Sequence, residues 1–131
     1  MTERVQLDTE FLIGEKDGAV GRMIFNNPDQ RNAVKLAMWE AMSTVIDAFE
    51  ADDDIKVVVL QGAGDKAFIS GADISEFEQV RSTPENTKNY ENAADGAMTR
   101  LSSCKKPTIA MIRGWCMGGG AGIAVSCDIR M

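Results

Sequence analysis

Two glycine-rich segments hold the groups best placed to do chemistry. They are Gly62-Ala63-Gly64-Asp65-Lys66-Ala67-Phe68-Ile69-Ser70-Gly71-Ala72-Asp73 and Gly114-Trp115-Cys116-Met117-Gly118-Gly119-Gly120-Ala121-Gly122. Each follows an apolar run that reads as a buried strand, Val57-Val58-Val59-Leu60 for the first and Thr108-Ile109-Ala110-Met111-Ile112 for the second. In open α/β sheets ligands bind beyond the carboxyl ends of the strands, so two such segments face one another there. Gly118-Gly119-Gly120 opening a helix offers backbone N–H groups without intrahelical partners, reinforced by the helix dipole. Ala72, just before a helix cap, offers a second donor. Two donors converging on one oxygen form an oxyanion hole, worth about 3–4 kcal/mol each to a developing negative charge. An isolated Gly-Gly-Gly reads as close helix–strand packing alone; the second loop tips the reading toward Ala72 and Gly119 as paired donors.

Composition narrows what else the chain can do. Its 131 residues suit one domain at most, and 44% hydrophobic with 26% charged residues is the balance of a soluble globular chain. A net charge of −6 and a pI near 4.6 argue against a nucleic-acid surface, which needs clustered Lys and Arg. With no His there is no imidazole base, no Ser-His-Asp or Cys-His machinery and no His metal ligand. Cys104, Cys116 and Cys127 form no CxxC, so no metal site is expected; they read as small buried hydrophobes without an activating base. The N-terminus lacks the layout of a secretory signal, and the longest apolar stretch, residues 115–125, is about half a membrane span and rich in Gly. The reading is therefore cytoplasmic, with no membrane partner.

The elements that must position the two loops follow from pattern. Apolar runs either side of Glu15-Lys16-Asp17-Gly18 read as a hairpin. Val34, Ala37, Met38, Ala41, Met42, Val45, Ile46 and Phe49 recur at helical spacing, which makes the Met38–Met42 pair core packing. Residues 61–71 read as a loop and 114–118 as a turn. Asp73-Ile74-Ser75-Glu76 has capping-box spacing for a short helix through Val80, which makes Asp73 a cap and leaves Glu76 and Glu78 facing solvent. Pro84 opens a further helix with a stripe of Tyr90, Ala93, Ala94, Ala97, Met98 and Leu101; residues 119–126 form a small-residue helix, and residues 128–131 begin a third strand. Strand and helix alternate, so the class is α/β. Gly62-x-Gly64-x-x-Ala67 nominally matches a dinucleotide fingerprint, but Phe68-Ile69-Ser70-Gly71 separates it from the next helix.

Taken in order, Asn27-Pro28 with Arg31-Asn32-Ala33, then Val57 through Gly62, Ala67 through Ile74, Lys106 through Ala110 and Gly114 through Ile129 resemble the N-terminal part of the crotonase superfamily, the enoyl-CoA hydratases and isomerases. The resemblance covers nearly the whole chain. It implies that residues 1–131 are an incomplete α/β spiral of ββα units, stopping before the C-terminal helical region. It implies an acyl-CoA thioester as substrate, coenzyme A being part of that substrate and not a separate cofactor, and homo-oligomers (trimers or hexamers) in full-length members. Ala72 and Gly119 correspond to the two backbone donors that stabilise a thioester enolate. Arg31, Ala33, Phe68, Ser70, Gly71, Asp73, Ile74 and Gly118 fall on substrate-binding positions. Arg31 is similar in place to a basic residue near the CoA phosphates, although a solvated surface charge would explain it equally. Because the charge of −6 opposes a polyanionic ligand, Arg31, Lys66 and Lys106 would have to compensate locally.

One departure matters. Hydratases of the family carry Glu three residues after the oxyanion glycine, where this chain has Gly122, and glycine cannot transfer a proton. The family's second catalytic carboxylate would lie beyond Met131. The expectation is hydratase/isomerase-type enolate chemistry in a longer parent, with this stretch itself inactive. The alternatives are an acyl-CoA-binding or self-assembling module without turnover, and a nicotinamide-binding Rossmann domain.

Overall fold

A computed structural model describes residues 2–131. Gly18 takes φ +61°, the left-handed conformation that a tight hairpin turn needs, and joins Leu12–Asp17 (β2) to Val20–Phe25 (β3) in antiparallel register. Thr2–Val5 (β1) pairs with the outer edge of β2. The expected amphipathic helix spans Leu36–Ala51 (α1) and buries Met38, Trp39, Ala41, Met42, Val45, Ile46 and Phe49. Val57–Gly62 (β4) then lies parallel to β3.

Thr83 caps the next helix, Pro84–Ser102, by accepting the Asn86 N–H at 3.0 Å, and Pro84 sits where a missing N–H costs nothing. Thr108–Ala110 (β6) pairs parallel to β4, and Ile129–Arg130 (β8) pairs parallel to β6. The sheet order is β1-β2-β3-β4-β6-β8. The sheet is mixed, antiparallel from β1 to β3 and parallel from β3 to β8, and with its covering helices it is the α/β class expected from the sequence. The core gathers Phe25, Phe49, Phe68, Met38, Met42, Leu60 and Leu101, each at most 1% exposed.

Both glycine-rich loops depart from expectation. Residues 61–71 are not all loop, because Ala67–Ile69 forms a strand (β5). Residues 114–118 are not simply a turn, because Trp115–Cys116 (β7) pairs parallel to β5 in a separate two-stranded sheet. The helix expected after Asp73 is divided into a 3-10 turn, Ile74–Glu76, and a single α turn, Phe77–Val80 (α2). The Pro84–Ser102 helix is thus α3, and Gly119–Ser126 is α4 with the bounds expected.

Candidate active site

The β5–β7 pair sets the two loops side by side. Ala67 is registered with Trp115 and Ile69 with Cys116, and the strands run in the same direction. The Met117 N–H also donates to the Ile69 carbonyl at 3.1 Å. Both chains therefore leave the pair at the same end, and Ala72 and Gly119 each stand three residues beyond the partners Ile69 and Cys116. The loops touch on the way: a Cβ built on Gly118 would lie 3.5 Å from the Gly71 Cα. Gly118 has φ +53° and ψ −121° as it turns into α4, a conformation that favours glycine. Gly120 has a different reason to be glycine, since a Cβ there would lie 2.5 Å from the Ile69 carbonyl oxygen.

The hydrogen-bond pattern leaves both amides open. Among the described residues it also leaves open those of Gly71, Ile74, Gly118 and Ala121 in and beside the same loops, while the amides directly after Ala72 and Gly119 are tied up. The Asp73 N–H donates to the Val34 carbonyl at 3.0 Å, that of Gly120 to Met117 at 2.8 Å and that of Gly122 to Gly118 at 3.1 Å. Among the described residues the N–H groups of Ala72 and Gly119 have no such acceptor. A group on each loop is thus left to meet something else.

Asp73 is 2% exposed and carries a charge that needs partners. Its Oδ1 accepts from the Ser75 N–H at 3.0 Å and from the Ser75 hydroxyl; its Oδ2 accepts from Asn27 Nδ2 at 3.2 Å and pairs with Lys35 Nζ at 3.1 Å. Burial acts against the charge, but these hydrogen bonds outweigh it and hold the carboxyl below its ordinary value. The cap role read from the sequence stands, and a half-buried ion pair is added to it. Glu76 corrects the expectation: its carboxylate is not solvent-facing and does not return to Asp73, but accepts the Leu36 N–H at the start of α1. Val34 completes the bracket through an isolated bridge to Ala72, its N–H donating to the Gly71 carbonyl at 2.8 Å.

The remaining candidates fall into two groups. Arg31, Ser70 and Lys66, with Pro28, Asp29 and Gln30, line a cavity of about 500 Å³. Arg31 and Asn32 adopt left-handed φ of 50° and 58°. Asn32 makes this turn possible, accepting the Asn27 N–H at 3.0 Å and donating to the Ala63 and Ala67 carbonyls at 3.0 and 2.9 Å. Ile74 is 76% exposed. Ala33 and Phe68, by contrast, are buried, with the Phe68 ring edge-to-face against Phe25, so only their main chains can meet a ligand.

Lys106 does not join Arg31 and Lys66. It precedes β6 at the opposite end of the parallel strands and donates to the Asp52 carbonyl. Gly62-x-Gly64-x-x-Ala67 leads into β5 and not into a helix, so the dinucleotide fingerprint lacks its helix N-terminus. Burial raises all three thiols, Cys127 to about 11, which disfavours the nucleophilic thiolate form. Among the described residues no His, Cys, Asp and Glu cluster could hold a metal, and no helix is long and apolar enough to cross a membrane.

Lys35 and Trp39 carry no signal in the sequence, and Tyr90 reads there only as part of the apolar stripe of α3. The edge of the Trp39 indole underlies Gly119, where a Cβ would lie 3.1 Å from Cζ2, and Trp39 Nε1 donates to the Tyr90 hydroxyl at 3.1 Å. A Cβ on Gly122 would lie 2.9 Å from the Met98 sulfur. Trp39 lies outside the stripe read for α1 and Met98 looks like an ordinary member of the α3 stripe; only the packing of α1 and α3 brings them to α4.

Comparison with known proteins agrees with this architecture. The family model described as "Enoyl-CoA hydratase/isomerase" matches residues 15–131. The short-chain-enoyl-CoA hydratase of Clostridium acetobutylicum is 39% identical over 125 residues, covering 95% of this chain and 47% of that protein. The peroxisomal Delta(3,5)-Delta(2,4)-dienoyl-CoA isomerase of Arabidopsis thaliana is 29% identical, covering 99% of this chain and 50% of that protein. A crystal structure of an enoyl-CoA hydratase/carnitine racemase from Magnetospirillum magneticum superposes with a TM-score of 0.87 at 39% identity, over 94% of this chain and 46% of that one. The chain spans about half the length of these relatives. Its motifs, its α/β fold and these matches agree: the chain belongs to the enoyl-CoA hydratase/isomerase family, the crotonase superfamily.

Proposed function

We propose that the two loops polarise the thioester carbonyl of an acyl-CoA, with the Ala72 and Gly119 N–H groups as the oxyanion donors of hydratase/isomerase-type enolate chemistry in the whole protein. The observation that supports this is the parallel β5–β7 pairing, which leaves the open N–H groups of Ala72 and Gly119 each three residues past a paired residue, at the same end of the pair. Donors fixed before the charge develops need no reorganisation as it forms, and each is worth about 3–4 kcal/mol. In this reading Arg31 and Lys66 supply cations to the CoA phosphates at the adjoining cavity, against an overall charge of −6.

Polarising a carbonyl is not the whole reaction, because hydration also needs groups that move protons. Gly122 supplies none, and the Met98 thioether stands against it. That contact favours a second reading for the 131-residue chain taken alone: it binds and polarises an acyl-CoA without turning it over. Half-exposed Trp115 and Met117 support a further part of the reading, that the protein self-associates.

The test uses a conjugated aryl enoyl-CoA, whose absorption moves to the red when its carbonyl is polarised. The chain should bind it with a red shift, and Gly119→Pro, which deletes one donor at the first position of α4 where proline is tolerated, should abolish the shift. Gly119→Ala adds the same Cβ against Trp39 but keeps the N–H, so it should retain more of the shift than the proline variant. A full shift in Gly119→Pro would remove the assignment. In a longer parent protein the same substitution should stop deuterium exchange at the acyl α-carbon.

A further inference from the structure

Gly118 and Gly119 open α4 without side chains of their own, and the cap Gly118 makes no side-chain hydrogen bond. Glycine has more backbone freedom than any other residue, so the direction of the Gly119 N–H is set by the Gly118 carbonyl of the same peptide plane, which accepts the Gly122 N–H at 3.1 Å, and by what lies against the residue. What lies against it is the indole edge of Trp39: a Cβ on Gly119 would fall 3.1 Å from Cζ2 and 3.4 Å from Cη2. Trp39 is 2% exposed, and an indole at that depth requires an acceptor for its N–H. The acceptor is the hydroxyl of Tyr90 on α3, itself 4% exposed, with the Arg81 guanidinium over its ring, 5.3 Å from the centroid.

We infer that Trp39 is a positioning residue for the Gly119 amide, held in its orientation by Tyr90; the inference rests on the oxyanion reading above. The indole seats the Gly119 backbone, and the hydrogen bond from Nε1 stops the ring from turning about its side-chain torsions. The same stretch of chain serves the other donor. Val34 hydrogen-bonds on both sides of Ala72, through Gly71 and Asp73, and Trp39 follows in the first turn of α1. Residues 34–39 therefore act as one gauge for the separation of the two amides. Displacement of an oriented group by about 1 Å can cost on the order of 100-fold in rate, so a loose seat would weaken polarisation long before it weakened binding.

That distinction supplies the test, with the aryl enoyl-CoA probe titrated into the 131-residue chain. Trp39→Phe leaves an aromatic ring but loses the indole edge and its N–H; Tyr90→Phe removes only an oxygen and keeps the fold if Trp39→Phe does not. Both should lose more than half of the red shift while the probe Kd changes less than about threefold. A full red shift in both variants overturns the inference and leaves the oxyanion reading intact. Loss of shift and affinity in equal proportion also overturns it, since the pair would then only shape the pocket. Binding without any red shift in the unsubstituted chain removes the oxyanion reading first, a result separable from either of these.

Discussion

The Ala72 loop and the Gly119 loop end on the same chemical group and hold it by opposite means. Beside Ala72 the support is polar: a buried carboxylate with Lys35, Asn27 and Ser75 around it, and Val34 bonded on either side. Beside Gly119 the support is apolar contact, with Trp39 beneath the glycine and Ile69 packed so closely on Gly120 that no Cβ fits. A polar clamp fixes direction strongly but depends on every member being present and correctly charged. A packed seat is indifferent to charge and intolerant of added volume. The two loops should therefore fail under different perturbations.

The largest expected effect is on the polar side. Lys35→Met removes the cation from Asp73 and leaves a carboxylate that is 2% exposed with only the neutral donors of Ser75 and Asn27. Breaking a buried pair from one side costs about 3–5 kcal/mol, and the lower end applies because the Lys35 side chain is 22% exposed. Urea denaturation should show a loss of about 3 kcal/mol. A loss under about 1 kcal/mol would mean that the clamp contributes little and that the contrast is overstated.

Next is the apolar side. Gly120→Ala places a Cβ 2.5 Å from the Ile69 carbonyl oxygen and 2.8 Å from the Ile69 Cβ, so α4 and β5 must part. Overpacking of this kind costs about 1–3 kcal/mol. Because the displaced contact joins the two loops, the red shift of the bound probe should fall along with stability. A destabilised variant with a full red shift would show that the β5–α4 contact supports the fold alone.

How far the sequence reveals these supports follows from their range. The α1 stripe and the β4 run are periodic over many residues, and periodicity is what a sequence displays. Asp73 is legible as a cap because its partner Ser75 is near in sequence, whereas Lys35 and Asn27 reach it only through the fold. Glu76 has capping-box spacing and spends its carboxylate on the N-terminus of α1. Strands β5 and β7 have three and two residues, too few to display a period, and each exists because the other is beside it. Loop chemistry and resemblance point to Ala72 and Gly119 in the sequence; the β5–β7 pairing that brings their loops together, like the contact of Trp39 with Gly119, belongs to tertiary structure.

A pH series sharpens the contrast at smaller amplitude. Asp73 has its carboxyl held below 3.8 in the folded protein. Well above that value both folded and unfolded chains are ionised there and the stabilisation is fully present. As the pH falls below 3.8 the unfolded chain takes up the proton first, and the contribution is lost as the pH drops through the lowered native value. The stability gap between the unsubstituted chain and Asp73→Asn should therefore be constant from about pH 5 upward and shrink below pH 4. The gap for Gly120→Ala should stay level across the same range. Parallel behaviour of the two gaps would erase the distinction between a charged clamp and a packed seat.

The smallest effect on folding is expected at Ile74, which follows Asp73 yet belongs to neither support. It is 76% exposed, so Ile74→Asn should leave stability within about 0.5 kcal/mol. An apolar side chain that exposed, two residues past Ala72, is unexplained by the core and has surface to offer an acyl chain. Burying an isoleucine is worth about 1.5–3 kcal/mol, so covering part of it by a ligand would change affinity by about tenfold. Calorimetric titration with short and long acyl-CoA esters separates the possibilities. A tenfold loss confined to the long ester places Ile74 along the acyl path. Equal losses for both esters would place its effect at the part they share, the thioester and the CoA, and so assign Ile74 to the Ala72 side of the site. No loss for either would leave Ile74 outside the site and confine the first loop's contribution to the amide and the clamp behind it.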